Sequence, residues 1–237
     1  MEVQLKSVRY SPSLPLHTRY GELLPAEIYN LLRLSHRNVQ DLHDYGYRHK
    51  TWRLMLEYSY SWEPLSGLTH TLPGAVLDAD DIRAIVRQLL SVILHLFKNG
   101  VDHRGLATEN IYLDRRSKQI KLFNFQLSTV MSVLPHTTPA SPTTTPPELY
   151  RQGSYTPTAA AVWSVGCVLF ELFTCKRPLL SQADAACNNV RWELFTPQAV
   201  GRDVFELVLS CLNPRPERRI SLEELLKHSW IVNESYV

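Results

Sequence analysis

Residues 101–114 read "VDHRGLATENIYLD". The stretch is a polar loop, with His103, Arg104 and Asn110 set among small residues, that runs into the apolar piece Ile111-Tyr112-Leu113. Upstream, "DDIRAIVRQLLSVILHLFKNG" from Asp80 places Ile82, Ile85, Val86, Leu89, Leu90 and Ile93 on one broad face, opens with aspartates that can cap, and stops at Gly100. That spacing predicts a long core-facing helix. Downstream, "IYL" (111–113) and "IKLF" (120–123) flank "DRRSK" and read as a small hairpin. A helix, a polar loop and a hairpin, in that order, frame the rest of the chain.

Towards the N-terminus, "VQLKSV" alternates as a strand does, and "TWRLMLEYSY" (51–60) is a second strand rich in aromatic and apolar residues. Between them, residues 25–35 carry Ile28, Leu31, Leu32 and Leu34 at helical spacing, with Pro25 near the first turn and Glu27 early. The first sixty residues predict a small mixed lobe. Beyond the hairpin, residues 134–147 hold five prolines and six Ser or Thr residues, which predicts a mobile surface segment without regular structure. An apolar helix at 159–173, a second at 204–212 and a helix over "SLEELLKHSWI", opened by the capping box Ser221/Glu224, complete a helical second lobe. The expected class is α+β, a single domain over 1–237, with 1–60 as a truncated N-lobe and 61–237 as a C-lobe that contains a long loop over 124–148.

At 237 residues, 44% hydrophobic and 20% charged, the chain is long enough for a substantial core, and a formal charge of +2 is too small to imply a nucleic-acid surface. Its four cysteines form no C-x-x-C pair, so a reduced, intracellular protein, cytoplasmic or nuclear, is expected. The N-terminus lacks the apolar core of a secretory signal. The run Ala159–Phe173 is short for a membrane span and carries Glu171, so it reads as a buried helix.

The motifs around these elements, taken in order over nearly the whole chain, resemble those of eukaryotic protein kinases, most closely Pim-like Ser/Thr kinases. The resemblance implies that Lys6, in Val3-Gln4-Leu5-Lys6, grips the ATP phosphates and pairs with Glu27. Without it, Lys6 is a solvated lysine and Glu27 a helix-start carboxylate. Leu56 and Glu57 resemble the gatekeeper and first hinge residue, where backbone groups meet adenine; the following "YSYS" (58–61) replaces the proline-bearing Pim hinge and restores backbone donors. His103, Arg104, Leu106 and Asn110 match H-R-D-L-x-x-x-N, but Gly105 stands at the catalytic aspartate and Ala107 at the lysine that meets the transferring phosphate. Asn124-Phe125-Gln126 stands at D-F-G, so the metal positions become Asn110 and Asn124, and magnesium binding is expected to be weak or absent.

Other positions match structural roles. Phe125 with Leu31, Leu42 and His103 would complete a packed spine joining the lobes; Glu148 in "TPPELY" and Arg219 in "PERRIS" would form a buried pair; "LPAEI" and "AAAVWSVG" carry the Pim likeness. Thr138, Ser141 and Thr145, each before a proline, are candidate phosphorylation sites, with Arg104 as the phosphate anchor the resemblance implies. Only five residues precede Lys6, so the glycine-rich loop is expected to be missing, through a true loss or a truncated sequence. The implied function is that of a catalytically impaired kinase-like protein acting on protein partners or competing with active kinases, without nucleic acid or membrane. The alternative is a weak Ser/Thr kinase that still uses ATP and magnesium.

Overall fold

A computed structural model describes residues 2–9, 16–19, 21–71, 77–131, 136–137 and 144–233. It begins with β1 (Glu2–Arg9), β2 (Leu16–Arg19), β3 (Glu22–Pro25), α1 (Ala26–Leu31), β4 (Leu42–Arg48) and β5 (Thr51–Tyr58). β5 is the centre of an antiparallel sheet of order β1-β5-β4. Trp52, Leu54 and Leu56, every second residue of β5, turn into the core, while the residues between them face outward, as the two-residue period of a half-buried strand requires. The β2–β3 hairpin, turning at Gly21 with φ 83°, was not foreseen. Its strands "LHTR" and "ELLP" lack the alternation that marks a strand.

α1 is only six residues long, against the expected 25–35. After Leu31 the chain tightens into three-residue turns, with Arg33 N donating to Asn30 O and Leu34 N to Leu31 O, so Leu34 is buried in a turn rather than a helix. Two short pieces follow, β6 (Trp62–Pro64) and α2 (Leu65–Thr71).

The long helix forms as α3 (Ala79–Lys98), capped by Asp78, whose carboxylate accepts from Asp81 N at 2.7 Å. It leads into β7 (Val101–Asp102), the polar loop, and the hairpin β8 (Ile111–Asp114) and β9 (Gln119–Leu122), which joins β6 in a three-stranded sheet. β10 (Thr129–Val130) pairs with β7. Of 134–147, most lies outside the described residues, but Thr144, Thr145, Pro146 and Pro147 are buried, against the expected mobile surface, and α4 (Pro147–Gln152) starts there. Thr145 is 1% exposed and inaccessible to a modifying enzyme; Thr138 and Ser141 lie outside the described residues.

α5 (Pro157–Thr174) is the buried centre of the second lobe. A Cβ built on Gly166 would lie 2.8 Å from the Cys211 side chain, so glycine there permits close approach to a later helix. The remaining helices are α6 (Gln182–Cys187), α7 (Pro197–Val200), α8 (Arg202–Cys211), α9 (Leu222–Lys227) and α10 (Ser229–Val232). The capping box forms with both hydrogen bonds present, but the helix expected over 221–231 breaks at His228. That residue is extended, and its imidazole Nδ1 accepts from Trp230 N, so it caps α10 instead of continuing α9.

Candidate functional site

β1 carries Lys6 towards α1, whose first turn holds Glu27 against it: Lys6 Nζ donates to Glu27 Oε1 at 2.7 Å, and Glu27 is 3% exposed. The same ammonium lies 3.2 Å from Asn124 Oδ1. Asn124 Nδ2 in turn donates to Asn110 Oδ1 at 3.1 Å, and Asn110 Nδ2 donates to Gly105 O at 2.8 Å. Sequence positions 6, 27, 105, 110 and 124 are thus brought together in one hydrogen-bonded chain. Ala107 lies on the same loop, buried and without a polar group to add.

The local backbone explains two residue choices. Asn124 is left-handed (φ 63°, ψ 66°), a conformation that Asn adopts at lower cost than most residues. At Gly105, a Cβ would sit 3.2 Å from Asn110 Nδ2, tighter than ordinary contact, so the glycine leaves room for the asparagine amide to reach the loop carbonyl.

A magnesium ion does not fit this arrangement. Such a hard cation needs free oxygen donors, best supplied by carboxylates. Here both candidate oxygens belong to neutral amides, and each already accepts a hydrogen bond, from Lys6 at Asn124 and from Asn124 at Asn110. Each oxygen a metal would use already shares a lone pair with a protein donor, and the Lys6 ammonium sets a positive charge 3.2 Å from the Asn124 oxygen.

The hinge is satisfied in the same way. Leu56 is buried, and the Glu57 carbonyl accepts from Gln40 Nε2 at 2.9 Å, with the Gln4 side-chain oxygen 3.5 Å from the same nitrogen. Glu57 turns its carboxylate to Lys121 Nζ at 2.5 Å. Of the donors expected in 58–61, Tyr60 N donates to Glu2 Oε2 at 2.8 Å and Ser61 N to Ser59 Oγ at 3.3 Å. Beneath the hinge, Phe123 stacks on Tyr112 at 4.2 Å and meets the edge of Trp62 at 5.6 Å. The Glu57 carbonyl and these aromatic side chains thus have partners within the protein.

The residues matched to structural roles lie in the core of the fold. His103 and Phe125 are buried edge-to-face, with centroids 4.6 Å apart. Leu31 is in the same core, and Leu42 packs against it half-buried. His103 Nε2 faces Phe123 O at 3.0 Å while Gly105 N donates to Nδ1 at 3.2 Å, which sets a neutral imidazole protonated on Nε2. Burial pushes this imidazole down to about 4, against the opposing pull of the Phe123 carbonyl and the Asp102 carboxylate. Arg104, left-handed at φ 61°, donates through Nε to Tyr155 Oη at 3.2 Å.

Several residues that hold the site were missed. Asn30, fully buried on α1, donates to Ser128 Oγ at 2.9 Å and so ties α1 to the segment after Phe125. Asn38 donates to Ile120 O at 2.7 Å and fastens the loop before β4 to β9. Asp102 accepts from Arg104 N through Oδ1 and lies 3.1 Å from His136 Nε2 through Oδ2. Asn30 alone of these stands inside an apolar segment, residues 25–35; Asn38 and Asp102 lie among other polar residues and carry no such signal.

Comparison with known proteins agrees with this layout. Residues 3–231 match the protein kinase domain. The chain is similar to Serine/threonine-protein kinase ppk25 of Schizosaccharomyces pombe, 30% identical over 71% of this chain and 41% of that protein. It is similar to Serine/threonine-protein kinase cds1 of the same organism, 26% identical over 92% of this chain and 49% of that protein. It also resembles CBL-interacting protein kinase 29 of Oryza sativa subsp. japonica, 30% identical over 84% and 45%. The chain spans less than half the length of each of these relatives.

Proposed function

The chain belongs to the protein kinase family, and from that premise we propose that it is a pseudokinase, a kinase fold whose cleft is closed on itself and whose role is to bind protein partners or compete with active kinases. The observation that carries the reading is the chain of bonds Lys6–Asn124–Asn110–Gly105, in which the amide at 124 stands in for a metal-binding carboxylate and bonds to Lys6 and to Asn110, the other metal position. General-base assistance is worth about 10² to 10⁴ in rate, and stabilisation of the transferring phosphoryl group is often worth more. Gly105 and Ala107 supply neither. Nucleotide and magnesium then bind weakly or not at all. The short motifs "LPAEI" and "AAAVWSVG" support a Pim-like Ser/Thr origin, and unpaired cysteines fit an intracellular setting.

The second reading, a weak Ser/Thr kinase, is favoured by one specific observation, the intact Lys6–Glu27 pair. Phosphate transfer from labelled ATP, with magnesium or manganese, to the protein and to a basic peptide separates the two. The expected result is a signal no greater than that of Asn110→Ala. Transfer that Asn110→Ala abolishes overturns the pseudokinase reading.

A further inference from the structure

On the far side of the second lobe, α3, the start of α5 and the start of α9 enclose a groove of about 790 Å³. Its apolar lining includes Leu94, which is 43% exposed on α3, together with Val162, Ile220 and Leu222. Two features set it apart from an ordinary crease between helices. An exposed leucine on the outer face of a long helix shares the groove with the half-buried Ile220 and Leu222 and the buried Val162, so the lining carries an apolar strip among Thr156, Thr158 and Ser221. The charge around it is also one-sided.

Glu217, Glu223 and Glu224 line the groove. Glu224 is engaged in the capping box, but Glu217 and Glu223 are exposed and form no ion pair among the described residues. The one cation on the lining, Arg219, is neutralised by Glu148 and buried, with both side chains about 1–2% exposed. Arg218, next to Glu217 in sequence, is not on this lining but lines an adjoining hollow that Glu217 and Glu224 share with it. The result is a partly apolar trough rimmed by three glutamates that form no ion pair among the described residues, with no unpaired cation on its own lining.

We propose that this groove docks a cationic amphipathic segment of a partner protein, with apolar side chains on the Leu94–Leu222 floor and Lys or Arg side chains over Glu217 and Glu223. The inference rests on the interaction role proposed above for its biological use, and gives that role a surface remote from the cleft. Charge complementarity selects the occupant: a segment with acidic flanks would meet repulsion at two carboxylates, and a purely apolar one would leave them uncompensated on burial.

The test is fluorescence anisotropy of the full chain with a Leu/Lys amphipathic peptide of about five helical turns and its Leu/Glu counterpart. Saturable binding of the first, weakening with added salt, and none of the second is expected. The double variant Glu217→Lys/Glu223→Lys should lose about tenfold in affinity, as two exposed pairs turned repulsive imply, while keeping a cooperative melting transition at a slightly lower midpoint, because Glu223 sits in the first turn of α9 where a cation opposes the helix dipole. Leu94→Asp should lose binding by the apolar route. Equal binding of both peptides, or unchanged affinity in a folded charge variant, overturns the proposal. So does self-association that Glu217→Lys/Glu223→Lys abolishes, which would make a second copy the occupant. None of these readouts depends on phosphate transfer, so an active enzyme that still binds the peptide leaves the groove standing while the pseudokinase reading falls.

Discussion

Arg219→Ala is expected to cost about 3–5 kcal/mol of stability, the usual result of leaving one member of a buried ion pair without its partner. Arg219 Nη1 and Nη2 donate to the two oxygens of Glu148 at 2.8 and 2.7 Å, Nη1 also reaches Ala159 O at 2.8 Å, and Nε donates to Asn213 O at 3.0 Å. The guanidinium lies 5.1 Å from the centroid of Trp163. The pair thus joins α4, α5 and the segment after α8, and its removal leaves a buried carboxylate with no compensating charge. For a chain of this size the loss should lower the melting midpoint by roughly 6 to 20 °C. Urea unfolding of Arg219→Ala checks it, with Glu148→Gln expected to behave alike; a loss below about 1 kcal/mol would mean that the pair behaves as a surface contact.

The second large effect is a dependence on pH seated at His103. In the fold its Nδ1 is an acceptor for Gly105 N, so protonation there sets a donor against a donor inside the core. Its folded value is lowered to about 4 from an ordinary 6.5. The unfolded chain therefore takes up a proton as pH falls through 6.5, while the folded chain does so only near 4. Stability is independent of this group above pH 6.5, falls across the window between, and is down by about 3 kcal/mol once pH 4 is reached. Urea midpoints at several pH values for the natural chain and His103→Gln isolate it. His17 and His36, also lowered by burial, contribute equally to both chains. A shallower profile in the variant is expected; parallel profiles would place the acid sensitivity elsewhere.

Much of the fold was legible because its long elements carry strong periodic signals. α3 shows its apolar face and its capping aspartate in the letters alone, and the Lys6–Glu27, His103–Phe125 and Glu148–Arg219 pairs followed from motif order. The internal hydrogen bonds around the cleft were not legible. Gln40, Asn30 and Asn38 act on groups 17, 98 and 82 residues away, two of them backbone carbonyls, which no sequence pattern marks. The short α1 and the break at His228 were missed for a related reason: in both, local hydrogen bonds win over a helical apolar spacing that continues past them.

The reading of the losses was also incomplete. Asn124 in place of a metal-binding carboxylate implied a weakened metal site, but the structure goes further. The amide is a donor as well as an acceptor, and that second capacity lets it bond Asn110 and complete a path from Lys6 to Gly105. A carboxylate at 124 could not donate that bond.

The most direct test of a self-satisfied cleft is the melting transition of the natural chain with and without ATP and magnesium together. A ligand that binds the fold at a hundred times its dissociation constant adds about 2.7 kcal/mol, a shift readily seen. The expected result is an unchanged midpoint up to millimolar nucleotide. A saturable rise that requires magnesium would contradict the account, because it would mean that the Asn110 and Asn124 oxygens, or the Glu57 carbonyl, leave their internal partners for the ligand.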